Sequence, residues 1–158
     1  MTTKRTPAHD HFDVHVAPAL EDLRASPTNI RLAMVAAVSL YHEADHYWGS
    51  YSTIDSGRVF GTKSAGLFRA ELSTRSEDYA LLRDVAEAHK HMKLDRGTRA
   101  VTHASQTVVG AVEYGGAPYG EGPYGGGPSI VVELDDGSKR HLSAIIDAVE
   151  ALWSSMLN

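Results

Sequence analysis

The chain contains no cysteine, which excludes disulfides, thiolate metal ligands and a cysteine nucleophile. It has no apolar run approaching the length that crosses a bilayer, which argues against a membrane-embedded protein. The opening MTTKRTPAHDH has no apolar stretch either, so it does not read as a secretory signal. Positive charge is in deficit: 15 Lys and Arg against 20 Asp and Glu leave a formal charge of −5. That balance disfavours nucleic acid as a partner held by bulk electrostatics, although a local basic patch can still act. These absences lead to the expectation of a soluble, cytoplasmic protein of bacterial style.

What is present is ordinary for a globular chain: 158 residues, 42% apolar and 22% charged. That length suits a single domain over residues 1–158 with one core. The compositional oddity is nine histidines.

The dominant stretch is SPTNIRLAMVAAVSLYHEADHYWG, residues 26–49. Ser26 suits an N-cap, Pro27 the first helical position and Gly49 a stop, so the spacing predicts one central helix. Between Leu32 and Tyr41 Ser39 is the lone polar side chain, and a helix apolar nearly all round is buried on most sides. Its last turns gather His42, Glu43, Asp45 and His46. Ionisable groups on a buried helix need partners or a purpose.

Before it, residues 1–8 read as a loose tail. HDHFDVHV then packs His9, Asp10, His11, Asp13 and His15 into seven positions. That segment is either solvated or able to lend a ligand or a base to a neighbouring helix. PALEDLRA, from Pro18, suits a short helix with Leu20 and Leu23 on one side. Beyond the central helix, AGLFRAELST suits another short helix with Leu67, Phe68 and Leu72 inward. Ser76 caps EDYALLRDVAEAHKHMKL, whose core stripe is Leu81, Val85, Ala88 and Met92. Basic Lys90 and His91 fall near its C-terminus, where cations are favoured.

After Gly97 the period changes. TRAVTHASQTVVGAVEYG reads as one or two strands, and SIVVEL-DDGS-KRHL as a hairpin turning at Asp-Gly. Between them lies a Gly/Pro/Tyr-rich loop, residues 115–128, with two Pro-Tyr-Gly units; it is either a mobile tip or a flap over a site. Ser143 suits the cap of a final helix with Ile145, Ile146, Val149, Leu152, Trp153 and Met156 inward. The fold expected is α+β: three main helices plus short ones, and a small antiparallel hairpin or sheet before the C-terminal helix.

Three resemblances bear on function. His42-Glu43-Ala44-Asp45-His46 resembles the zincin HExxH string, and HEADHYWGSYS is similar to its longer metzincin form through Gly49, but with Ser52 at the place of the third histidine. It implies a zinc or other divalent ion on His42 and His46, with Glu43 activating its water. Asp45, His89, His91 or a residue of segment 9–15 would complete the ligand set. Zincins set a sheet before this helix, whereas here the strands come later. RDVAEAH resembles the R-polar-x4-H motif of HEPN-type ribonucleases, which implies metal-independent RNA cleavage by Arg83 and His89 in a cleft often shared by a homodimer. The whole layout, with its D-x-A-x3-KH helix, is similar to small bacterial proteins without an assigned function; it adds Asp84 and His91 to the catalytic candidates.

Three readings result. A His/Asp/Glu cluster binds a divalent metal such as zinc through His42, Asp45 and His46 and supports hydrolysis through Glu43, Asp84 and His91. Alternatively the chain is a HEPN-like ribonuclease. In the third, it is a structural or partner-binding protein whose polar cluster fixes helix register by hydrogen bonding.

Overall fold

The computed structural model describes residues 5–112, 115–123 and 126–158. Helices come first: α1 (Pro7–His11), a π-helical turn (Phe12–Val16), α2 (Ala17–Ala25), α3 (Ile30–Tyr51), α4 (Ala65–Arg75) and α5 (Glu77–His91). Strands β1 (Thr107–Gly110), β2 (Ser129–Glu133) and β3 (Lys139–His141) follow, and α6 (Leu142–Leu157) closes the chain. This is the expected α+β arrangement, with the change from helix to strand beyond Gly97.

α3 is the axis. It packs against α1, α2, α4, α5 and α6, as its nearly all-round apolar surface requires. Ala36, Ala37, Leu40 and Ala44 are fully buried on it. Trp153 of α6 is also fully buried and donates its indole N–H to the Leu40 carbonyl at 2.9 Å. Tyr79 of α5 donates its hydroxyl to the Tyr41 carbonyl at 3.3 Å. Trp153 and Tyr79 thus both satisfy their polar atoms on α3 backbone.

Of the expected loose tail, residues 1–4 lie outside the described residues, and Pro7 and Ala8 are helical. Pro7 starts a helical run continuous in sequence with α2, and the run is stitched to the C-terminal ends of α3 and α6. His9 Nε2 donates to the Leu157 carbonyl at 3.0 Å, and its Nδ1 lies 2.8 Å from the Thr6 hydroxyl. The Ala8 N–H donates to Ser50 Oγ at 3.1 Å. Ala8 and Val16 are fully buried. Local pattern hid this helix because its exposed turns are polar and its inward residues few.

Other boundaries move for identifiable reasons. Ser26 ends α2 instead of capping α3; Asn29 is the cap, accepting the Leu32 N–H at 3.2 Å. α3 runs past Gly49, which is helical, to Tyr51. Leu67 is 55% exposed while Phe68 and Leu72 are buried. Met92 leaves the core: α5 stops at His91, and Met92 takes a left-handed φ of 62°. α6 begins at Leu142, directly after β3, without a Ser143 cap.

The sheet is antiparallel in the order β1-β2-β3, with Val131 opposite both Val108 and His141. The β2–β3 hairpin turns at Asp136-Gly137, where glycine holds φ at 84°. Only 107–110 of the first expected strand region is strand, and its Glu113 and Tyr114 lie outside the described residues, as do Tyr124 and Gly125 of the second Pro-Tyr-Gly unit.

Candidate functional site

The polar cluster sits where α1 and the π turn cross α3. His11 Nδ1 lies 2.6 Å from Glu43 Oε2. The His11 ring stacks on His46, centroids 3.8 Å apart and planes within 11°. His15, a turn beyond His11, lies 5.2 Å from it, centroid to centroid. Two His-x3-His pairs therefore meet across a helix crossing, His11 with His15 and His42 with His46. The π turn between the first pair is a feature that recurs at functional sites.

Glu43 forms the floor. It is fully buried, and no described residue hydrogen-bonds its Oε1. Burial pushes its carboxyl up to about 8, helped by the negative charge of Asp13. Burial also drives His11 down to about 4, reinforced by His46, His15 and His42. His46 is lowered too, by burial against the opposing pull of Asp45. Burial thus favours the uncharged form of both members of the pair, and in that form Glu43 Oε2–H donates to His11 Nδ1. Histidines 15, 42 and 46 keep an exposed side, so the cluster opens to solvent above a buried floor.

The remaining candidates divide. Asp45 leaves the cluster and pairs with Arg69 of α4. His91 is exposed at the end of α5 and faces a groove shared with His42 and Asp45. Asp84 points elsewhere: 1% exposed, it accepts from Arg83 at 2.8 Å, Arg99 at 3.0 Å and the Ala100 N–H at 2.8 Å. That set ties α5 to the strand-side segment and puts Asp84 outside the groove of His42 and His91. Arg83 and His89, the pair of the HEPN-like motif, line different grooves of the molecule.

The sequence offers segment 9–15 as a source of ligands without singling out His11. The signal that singles out His11 and His15 is their own His-x3-His spacing, once the segment is helical. A second pairing was illegible. Ser129 Oγ lies 2.8 Å from His141 Nδ1 because β2 and β3 register them on one face. The His141 ring also lies beneath Gly122, where a Cβ would fall 2.4 Å from the ring, so this glycine is required. Glu121 accepts from Arg140 and from the His141 N–H, which fastens the glycine-rich loop to β3.

Among the described residues, no three His, Asp or Glu side chains are already disposed as a metal-ligand set; His11 and His46 lie face to face instead. No helix among the described residues is long and apolar enough to cross a membrane. Compared with family models, curated proteins and solved structures, the chain gives no match.

Proposed function

We propose that the histidine cluster at the α1–α3 crossing is a divalent transition-metal site with hydrolase activity. The observation that carries this reading is the 2.6 Å contact between buried Glu43 and His11, with His11 stacked on His46. A carboxylate on one imidazole nitrogen is the arrangement that orients a metal-ligating histidine and leaves its other nitrogen for the ion. Glu43 is then the positioning residue for His11, not the water-activating base of a zincin, since it is fully buried beneath the rings. The ligand set is His11, His42 and His46, with His15 beside them. An all-imidazole set favours zinc, nickel or copper over magnesium or calcium.

Loading requires the exposed His42 and His46 to rotate so that their nitrogens converge with His11 Nε2. The proton inventory follows from the neutral pair. His11 gives up its Nε2 proton, takes the Glu43 proton on Nδ1, and leaves Glu43 ionised; one proton is released per ion bound. When bound, such an ion supplies a water acidic enough to attack a substrate at neutral pH.

The test is elemental analysis of untagged protein, then melting with and without chelator. The reading expects about one zinc-class ion per chain and a melting point that chelation lowers, because an ion held by the native state alone stabilises it. Substoichiometric metal with an unchanged melting curve would reduce the cluster to a hydrogen-bonded helix clamp.

A further inference from the structure

Beside the cluster, α3, α4 and α5 enclose a groove of about 450 Å³ whose walls carry His42, Asp45, Glu87 and the tripeptide His89-Lys90-His91. Its two carboxylates are occupied. Asp45 pairs with Arg69, and Glu87 accepts from Arg99 at 2.7 Å and from the Tyr41 hydroxyl at 2.6 Å. His89, Lys90 and His91 are exposed and have no side-chain partner among the described residues. The uncommitted polar groups of this groove are thus the Lys90 ammonium and the imidazoles of His89 and His91, on a chain whose overall charge is −5. His42 belongs to both the groove and the histidine cluster.

We infer that this groove binds the phosphate group of a small phosphate ester, which is the substrate class of the metal site; the inference rests on that site's proposed function. The lysine brings three rotatable donors and the imidazoles add N–H groups from other directions. That set suits a tetrahedral dianion with three free oxygens better than a planar carboxylate with two. The groove's size admits a small ester. The reaction adds the water oxygen to phosphorus and breaks the ester P–O bond; one water proton passes to the departing alkoxide and the other stays on the phosphate. Its products are alcohol and inorganic phosphate.

The experiment titrates inorganic phosphate and phenyl phosphate into wild type and a His89→Ala/Lys90→Ala double variant, each with zinc and with chelator. The expected result is saturable binding of both compounds to wild type, weakened roughly tenfold or more in the double variant, the effect of losing a charge-assisted contact. Zinc stoichiometry stays the same in both proteins. Normal zinc binding with no phosphate binding, or with equal binding by the double variant, overturns the groove assignment. Binding of inorganic phosphate alone overturns the ester. Lys90-dependent phosphate binding by a protein that takes up no zinc upholds the groove and overturns the metal site.

Discussion

Glu43 on α3 and Asp84 on α5 are both carboxylates of buried helix faces, at 0% and 1% exposure. Asp84 is surrounded by donors: two nitrogens of Arg83, one of Arg99 and a backbone N–H. Glu43 has one partner, His11, and an oxygen that no described residue satisfies. A buried acid with a full donor set holds elements together, whereas one left short of donors carries a cost that a structural role does not explain. The sequence offers both as catalytic candidates, and donor count separates them.

The sharpest way to break this contrast is to delete each acid in turn. Asp84→Ala strands Arg83, Arg99 and the Ala100 N–H, and we expect a loss of about 3 kcal/mol in urea unfolding, the low end for one member of a buried ion pair. Both arginines keep some solvent contact, which holds the value there. A loss below about 1 kcal/mol would contradict the clamp role.

The second expected effect concerns pH in metal-free protein. Glu43, raised to about 8 from 4.5, binds an extra proton in the folded state, so its contribution to stability falls as pH rises through that interval. His11, lowered to about 4 from 6.5, has the opposite sign: its contribution rises with pH over its own interval. The two cancel between roughly pH 4.5 and 6.5, and Glu43 alone acts from there to pH 8. Wild type should lose about 2 kcal/mol between pH 6.5 and 8, at no more than about 1.4 kcal/mol per pH unit for one proton. Asp84→Asn should keep that slope, and Glu43→Gln should flatten it. A slope that survives in Glu43→Gln assigns the titration to another group.

The smallest expected effect is the cost of Glu43→Gln itself near pH 6. Its amide N–H can donate to His11 Nδ1 as the protonated acid does, so unfolding free energy should change by less than about 1 kcal/mol. A change several times larger would mean that the pair is ionised and not neutral.

Much of the architecture is legible in the sequence. The apolar circumference of α3 predicts a central helix, and the period change after Gly97 and the Asp136-Gly137 turn predict the sheet. What was hidden depended on distance in the chain. Ser26 and Asn29 are both acceptable caps, but Ser26 closes α2 and begins the turn whose end, Asn29, caps α3. The helix at Pro7 depends on Ser50 and Leu157, far away in sequence. The site divides the same way: His42, Glu43 and His46 announce themselves by spacing, but their joining to His11, the separation of Asp84 and the diversion of Asp45 to Arg69 are contacts between elements. Ser129 with His141 exists only through strand register.

The most direct measurement is calorimetric zinc titration of untagged wild type, Glu43→Gln and Asp84→Asn in two buffers of different ionisation enthalpy. The account predicts one zinc per chain with about one proton released in wild type. Asp84→Asn, where folded, should bind as wild type does, and Glu43→Gln should bind about 10- to 100-fold more weakly, the usual effect of removing a carboxylate that orients a ligand histidine. Zinc binding that is absent in wild type, or undiminished in Glu43→Gln, would contradict it.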